Sequence, residues 1–222
     1  MNPNPLASRR ISRRSLIVGS TVSALGTIYG AVNAPKAQTL IATPRQTRGP
    51  YYPIQWEGDI DNDLVQNKSR SSGASGQVLH VQGIVFDLRG HPIDNAVVEI
   101  WHADSAGYYV HPADLRTGDK RDTHFQGRGR TRTDDEGGYR FRTIRPAAYP
   151  GRTPHIHFRV AAPKKRALTT QMYFADEPGN ARDALLISVR DPARREKLIT
   201  TPTSIDHIEY GAARCYFDIV VV

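Results

Sequence analysis

The stretch Asp134-Asp135-Glu136-Gly137-Gly138-Tyr139-Arg140-Phe141-Arg142-Thr143-Ile144 holds acidic and glycine turn chemistry followed by a run in which apolar and polar side chains alternate. That is the signature of a turn feeding a half-buried strand. It recurs on both sides. Short apolar or alternating runs occupy Val78 to Phe86, Ala96 to Ala103, His155 to Ala161, Gln171 to Phe174 and Cys215 to Val222, with turns such as Arg89-Gly90-His91-Pro92 between them. Strands this short and this regularly punctuated predict an all-β fold, an antiparallel β-sandwich over residues 78–222 with little helix. The best helical candidate is Asp183 to Leu198, where Asp191-Pro192 caps and starts a turn ahead of Ala193-Arg194-Arg195-Glu196. Arg128-Gly129-Arg130-Thr131-Arg132 reads as a solvated strand edge.

Upstream of the strands, residues 38–77 are turn-rich, with Arg48-Gly49-Pro50-Tyr51-Tyr52-Pro53 in the middle and Ser71-Ser72-Gly73-Ala74-Ser75-Gly76 near the end. They predict an irregular arm draped over the core. Residues 1–37 are set outside the fold. Ser12-Arg13-Arg14-Ser15-Leu16-Ile17, a modest apolar stretch to about Val32 and Asn33-Ala34-Pro35-Lys36-Ala37 resemble a twin-arginine signal peptide, which predicts export to the periplasm with only a transient membrane contact. That route carries proteins already folded and suits a chain that must take up a metal first. The leader also explains the charge. The formal +8 on 222 residues contains Arg9, Arg10, Arg13, Arg14 and Lys36, and without them twenty-five bases face twenty-two acids. A mature chain so nearly balanced has no nucleic-acid footprint. Cys215 is the only cysteine, which excludes an internal disulfide or a thiolate cluster within one chain and reads as a small buried strand residue.

In Pro154-His155-Ile156-His157-Phe158 alternation puts both imidazoles on one strand face and Ile156 and Phe158 on the other. Such a pair is either a polar strand face or a pre-aimed pair of metal ligands, and the apolar flanks favour burial, where the polar atoms need a partner. No thiolate, His-Glu-x-x-His helix or acidic cluster accompanies it. The hard-oxygen donors nearby are tyrosines, Tyr108 and Tyr109 after Ala106-Gly107, and Tyr149 between Ala148 and Pro150. A phenol loses its proton to a metal only when the ion is a strong Lewis acid; iron(III) fits, whereas zinc normally takes His, Cys or carboxylate. Each tyrosine read alone is equally an amphipathic residue at a strand end.

Three blocks, read in order, resemble the intradiol ring-cleavage dioxygenases, and among them protocatechuate 3,4-dioxygenase subunits. They are Val98-Glu99-Ile100-Trp101-His102-Ala103-Asp104-Ser105-Ala106-Gly107-Tyr108-Tyr109, then Gly138-Tyr139-Arg140-Phe141-Arg142-Thr143-Ile144-Arg145-Pro146 through Tyr149-Pro150, then Arg152-Thr153-Pro154-His155-Ile156-His157-Phe158. Gln171-Met172-Tyr173-Phe174 and Tyr216-Phe217-Asp218-Ile219-Val220 extend the likeness to nearly everything after Val78. The resemblance implies iron(III) held by Tyr109, Tyr149, His155 and His157, with Tyr149 also taking a substrate proton, Arg152 meeting charge on the ring and Gln171 on the next strand. It implies a catechol-type substrate and O2, a muconate-type diacid as product, and the Arg48-Gly49-Pro50-Tyr51-Tyr52-Pro53 arm as a cover for the pocket mouth.

Two features bear on the branch of that family. No long amphipathic helix precedes the strands, unlike catechol and hydroxyquinol dioxygenases, which favours the protocatechuate-like branch. The segment from Tyr149 to His155 is much shorter than in typical protocatechuate enzymes and has Gly151 where they often have tryptophan, so the substrate stays open. Relatives in the family assemble, and the apolar run Phe217 to Val222 reads as core or as an interface between copies in an oligomer. Two rival readings are an exported noncatalytic β-sandwich that binds carbohydrate or peptide, and a zinc hydrolase using the His pair.

Overall fold

The computed structural model describes residues 39–66, 72–116 and 120–222; the expected leader lies outside them. In chain order the elements are β1 (Val78–Asp87), β2 (Val97–Trp101), β3 (Arg128–Arg132), β4 (Gly138–Ile144), β5 (His155–Ala161), β6 (Leu168–Phe174), a 3-10 turn (Pro178–Arg182), α1 (Ala184–Ile187), α2 (Pro192–Glu196), β7 (Ile199–Thr200), β8 (Thr203–Ser204), β9 (Ala213–Tyr216) and β10 (Ile219–Val221). Two five-stranded sheets result, one ordered β3-β2-β5-β6-β7 and one built around β1.

Alternation in β2, β5 and β6 divides their side chains between two environments. Val98, Ile100, Ile156, Phe158, Val160, Leu168 and Met172 join Leu79, Val81, Val85, Phe141 and Ile219 in the core between the sheets. Glu99, Trp101, His155, His157, Gln171 and Tyr173 therefore point to the opposite face, yet all six are buried as well. What covers them is the irregular chain. Residues 39–66 contain no strand, but Gln46 N–H donates to Thr169 O at 2.8 Å, Thr43 N–H to Val220 O at 3.1 Å and Leu64 N–H to Arg142 O at 2.7 Å. The arm is thus bonded to strands of both sheets, which satisfies backbone groups that would otherwise be buried without partners.

The sandwich and the low helix content agree with the sequence reading, and the structure adds detail. β5 pairs antiparallel with β2 and β6, whereas β1 is antiparallel to β4 but parallel to β9 and β10. The C-terminal apolar run is two strands rather than one. Phe217 N–H donates to Gln82 O at 2.9 Å, and the Asp218 carboxylate accepts from Ile84 N–H at 2.9 Å, so the ladder breaks between β9 and β10. Gly83 lies directly beneath this crossing, where a Cβ would overlap the Phe217 carbonyl. Most of the run is core: Phe217, Ile219, Val220 and Val221 are buried. Cys215 is buried on β9, and burial pushes its thiol up to about 11, which makes it inert.

The stretch from Asp183 to Leu198 is not one helix. Asp183 caps α1 and Asp191 caps α2, each with an extended backbone and a carboxylate accepting two amide N–H groups. Pro192 forces its predecessor out of the helical region, so a continuous helix cannot pass Asp191. Arg128 to Arg132 forms β3, the edge of its sheet, but that edge is covered by the arm rather than solvated, with Arg130 N–H donating to Ile60 O at 2.8 Å and Gly129 packed against Asp61 and Leu64.

Candidate metal centre

β5 begins at His155, and its ladder with β6 sets His155 opposite Tyr173 and His157 opposite Gln171, while β2 sets Trp101 opposite His157. His157 stacks on Trp101 with ring centroids 4.8 Å apart and planes 8° from parallel. His155 meets it edge-on at 4.9 Å. The Nδ1 of His155 donates to Thr153 O at 2.6 Å, which fixes the tautomer and turns Nε2 outward as an acceptor. Tyr109 Oη lies 3.4 Å from that Nε2 and Tyr149 Oη 3.5 Å from it. These separations are too long for good hydrogen bonds.

The two tyrosines come from separate loops. Asp104 organises the first, its Oδ1 accepting from Ala106 N–H and Tyr108 N–H at 2.9 Å each, and Tyr109 N–H donates to the buried Asp114 at 2.8 Å. Gly107, at φ +85°, lets this loop approach the second: a Cβ there would stand 2.6 Å from Ala148 O. Tyr149 follows at once, in a bridge to Arg152. The phenol rings meet edge to face at 5.6 Å.

Three residues of the arm close the face. Tyr51 stacks on Tyr109 at 4.4 Å, Tyr52 packs edge-on against Trp101 at 4.9 Å, and a Cβ on Gly49 would lie 3.5 Å from His157 Cε1. Burial dominates the electrostatics that follow. It pushes His155 down to about 3 and His157 well below the usual imidazole value, and Arg152 adds to both shifts. It raises the phenol of Tyr109 well above 10.0 and that of Tyr149 above it too, with Arg152 opposing the second shift. Without a cation, the chain holds two neutral imidazoles and two protonated phenols here.

Arg152 sits at the rim. Its Nε donates to Asp183 Oδ2 at 2.8 Å, Nη2 to Gln171 Oε1 at 2.5 Å and to Tyr173 Oη at 3.2 Å, and Nη1 lies 3.4 Å from Tyr149 Oη. Gln171 also donates through Nε2 to Thr47 O at 3.1 Å. The structure thus brings together all six residues singled out in the sequence. Tyr108 stands apart, with its ring under the Arg116 guanidinium. The arm segment Arg48 to Pro53, expected over the pocket mouth, does bring Tyr51 onto Tyr109. Sequence reasoning missed Trp101, Tyr173 and Asp183 as neighbours of the site. Period-two spacing from Gln171 would have found Tyr173, and nothing local marks the other two.

Do these donors suit a metal ion? Among the described residues no group of three or more His, Cys, Asp or Glu converges, which disfavours zinc. The set that does converge is two imidazoles and two phenols, meeting without strong hydrogen bonds. Moreover, among the described residues the His157 ring makes no hydrogen bond, and its Nδ1 is buried. Buried polar atoms this poorly satisfied fit a missing common partner, and hard phenolic oxygen with nitrogen fits a strongly Lewis-acidic ion such as iron(III).

Residues 47–222 match the Dioxygenase (Dioxygenase_C) family model. The chain belongs to the intradiol dioxygenase family. It is 39% identical over 186 residues to the protocatechuate 3,4-dioxygenase beta chain of Burkholderia cepacia, covering 80% of this chain and 78% of that one. It is 36% identical over 155 residues to catechol 1,2-dioxygenase of Acinetobacter baylyi, covering 62% of this chain and 48% of the relative. Among solved structures, it resembles the dioxygenase domain of a dioxygenase carbohydrate-binding protein fusion from Streptomyces sp. SirexAA-E, with TM-score 0.62, 33% identity and coverage of 81% and 97% of the two chains. The intradiol dioxygenase match begins within the arm, at the residue whose carbonyl Gln171 holds, and runs through all ten strands.

Proposed function

We propose that this intradiol dioxygenase is an iron(III) enzyme that inserts both atoms of O2 between the two hydroxylated carbons of a catechol-type aromatic, giving a muconate-type diacid. The observation that carries the proposal is the convergence of Tyr109, Tyr149 and His155 within 3.5 Å contacts, beside His157, whose buried Nδ1 has no hydrogen-bond partner among the described residues. These four side chains would hold the ion. Bound there, iron(III) supplies the Lewis acidity that favours the ionised catechol and the electron exchange between substrate and O2.

The protein's own groups do the rest. Tyr149 Oη, the more exposed of the two phenols, is placed to take a catechol proton. Arg152, with Nη1 beside that oxygen, puts a fixed positive charge where the ring becomes negative, and Gln171 and Tyr173 hold the guanidinium plane. Tyr51, Tyr52 and Trp101 wall the centre and limit water around it.

Related enzymes carry the names protocatechuate, catechol and hydroxyquinol dioxygenase, and these ring types are the proposed substrate class. Similarity to both the beta chain and the alpha chain of protocatechuate 3,4-dioxygenases supports an oligomer. Residues 1–37 are proposed as a twin-arginine leader, 38–77 as the arm and 78–222 as the catalytic sandwich, exported to the periplasm. Oxygen uptake by the iron-loaded protein with catechol, protocatechuate and hydroxyquinol, followed by product mass, tests the activity. One substrate should gain the mass of O2 with ring opening; no uptake with any of them removes the proposal.

A further inference from the structure

Asp183 lies outside every motif that led to the centre, thirty-one residues along the chain from Arg152. Its side chain is wholly buried. Oδ2 accepts from Arg152 Nε at 2.8 Å and from Thr153 N–H at 3.1 Å, and Oδ1 accepts from Leu185 and Leu186 N–H at 3.0 Å each. Four donors hold this one carboxylate. Burial pushes its pKa up, but Arg152 and the Leu186 and Thr153 amides outweigh that and hold it below the usual carboxylate value. A group fixed so completely is a rigid abutment.

Arg152 needs one. Its side chain is long and flexible, and one side of it borders a cleft of about 300 Å³ lined also by Gly151, Glu177, Arg182 and Asp183. Glu177 there is a second carboxylate, already engaged by Arg145 at 2.5 Å. Side-chain entropy draws the guanidinium away from the rings. With Nε held by Asp183 and Nη2 by Gln171 and Tyr173, the planar fork leaves Nη1 facing Tyr149 Oη.

We propose that Asp183 is a positioning residue, which fixes the Arg152 guanidinium so that its Nη1 side faces the ring-binding site. The proposal rests on the iron dioxygenase reading above. The plain alternative is that Asp183 only caps α1 and braces the loop.

Asp183→Asn separates the two. Asparagine keeps one carbonyl oxygen, so it satisfies either the α1 amides or the Arg152 and Thr153 donors but not all four. In iron-loaded protein kcat/KM should fall about 10- to 100-fold, the usual effect of losing a supporting partner, while iron content and visible colour hold. In the Arg152→Ala background the same change should cost little more, because nothing remains to aim. Arg152→Lys provides a second route that leaves Asp183 intact: lysine keeps the charge but cannot hold Asp183 and face Tyr149 together, so its loss should approach that of Arg152→Ala. A third reading needs no metal: the Arg152 Nε proton, slow to exchange in metal-free wild type, should exchange rapidly in Asp183→Asn. Near-wild-type kcat/KM in Asp183→Asn or Arg152→Lys, or an undiminished loss in the Arg152→Ala background, overturns the proposal. If wild type takes up no oxygen, the dioxygenase reading fails by itself, and an unchanged Nε proton exchange then overturns the positioning claim separately.

Discussion

Glu99 is the anchor of the arm, and Glu99→Gln measures what that anchor contributes. On β2 it lies opposite Arg130 of β3 and Arg159 of β5. Oε1 accepts from Arg130 Nε at 3.1 Å and Nη2 at 2.6 Å; Oε2 accepts from Arg159 Nη1 at 3.2 Å and from Tyr52 Oη at 2.9 Å. The carboxylate is 3% exposed, but the arginines are 36% and 31% exposed and can turn to water. The cost is therefore below the roughly 3–5 kcal/mol of orphaning a fully buried charge; about 1–3 kcal/mol is expected for weakened charge-assisted bonds. Part of it falls on the arm, because glutamine keeps one carbonyl oxygen and cannot serve both Arg130 and the Arg159 and Tyr52 donors, and the neighbours of Tyr52 in the arm, Tyr51 and Gly49, cover Tyr109 and His157. Urea unfolding of the metal-free protein reads the stability, and trypsin cleavage after the exposed Arg48 reads release of the arm. Both should move, with cleavage several-fold faster. A variant within ~0.5 kcal/mol of wild type, the range of an ordinary surface change, with unchanged cleavage refutes the reasoning.

Glu209 carries a pH prediction: hydrogen bonds from Arg142, and next from His80, pull its carboxyl from 4.5 to about 2. A depressed carboxyl contributes stability above its unfolded value and loses it as pH falls through the folded one, so the window is roughly pH 4.5 down to 2. Because the side chain is partly exposed, the amount is on the order of 1 kcal/mol. Glu209→Gln should flatten that acid limb in urea titrations, and an unchanged limb would contradict the assignment. Gly83→Ala should destabilise by about 1–3 kcal/mol, since the new Cβ must displace the Phe217 carbonyl. A melting temperature equal to wild type would show that the crossing of β1 is slacker than described.

How much of this was legible in the sequence follows from the range of each signal. Tyr139 to Ile144 and His155 to Ala161 carry period-two patterns that any strand with one face in the core must show, so those strands and the orientation of the His pair could be read directly. The parallel pairing of β1 with β9 and β10 left no local trace, because it depends on where residues over a hundred positions away return. The division of the C-terminal run was hidden for the same reason: Gly83 and Asp218 make it, and neither is remarkable in its own segment. Tyr109, Tyr149 and Arg152 were legible only as members of ordered blocks, since a tyrosine at a strand end has bland uses. The arm of Arg48 to Pro53 was placed over the pocket by its resemblance alone, and its stacking of Tyr51 on Tyr109 had no local signal. Asp183 escaped altogether, because its role comes from elements that meet only in three dimensions, a capping carboxylate reaching back to Arg152.

The most direct test of the four-donor centre is metal analysis of protein folded with ample iron, together with its visible spectrum and that of Tyr109→Phe. About one iron(III) per chain is predicted, with a red to burgundy phenolate-to-iron band that Tyr109→Phe largely loses while its metal-free form stays within ~1 kcal/mol of wild type, because the lost hydroxyl made no strong hydrogen bond. Colourless protein, or colour that survives intact in Tyr109→Phe, would contradict it.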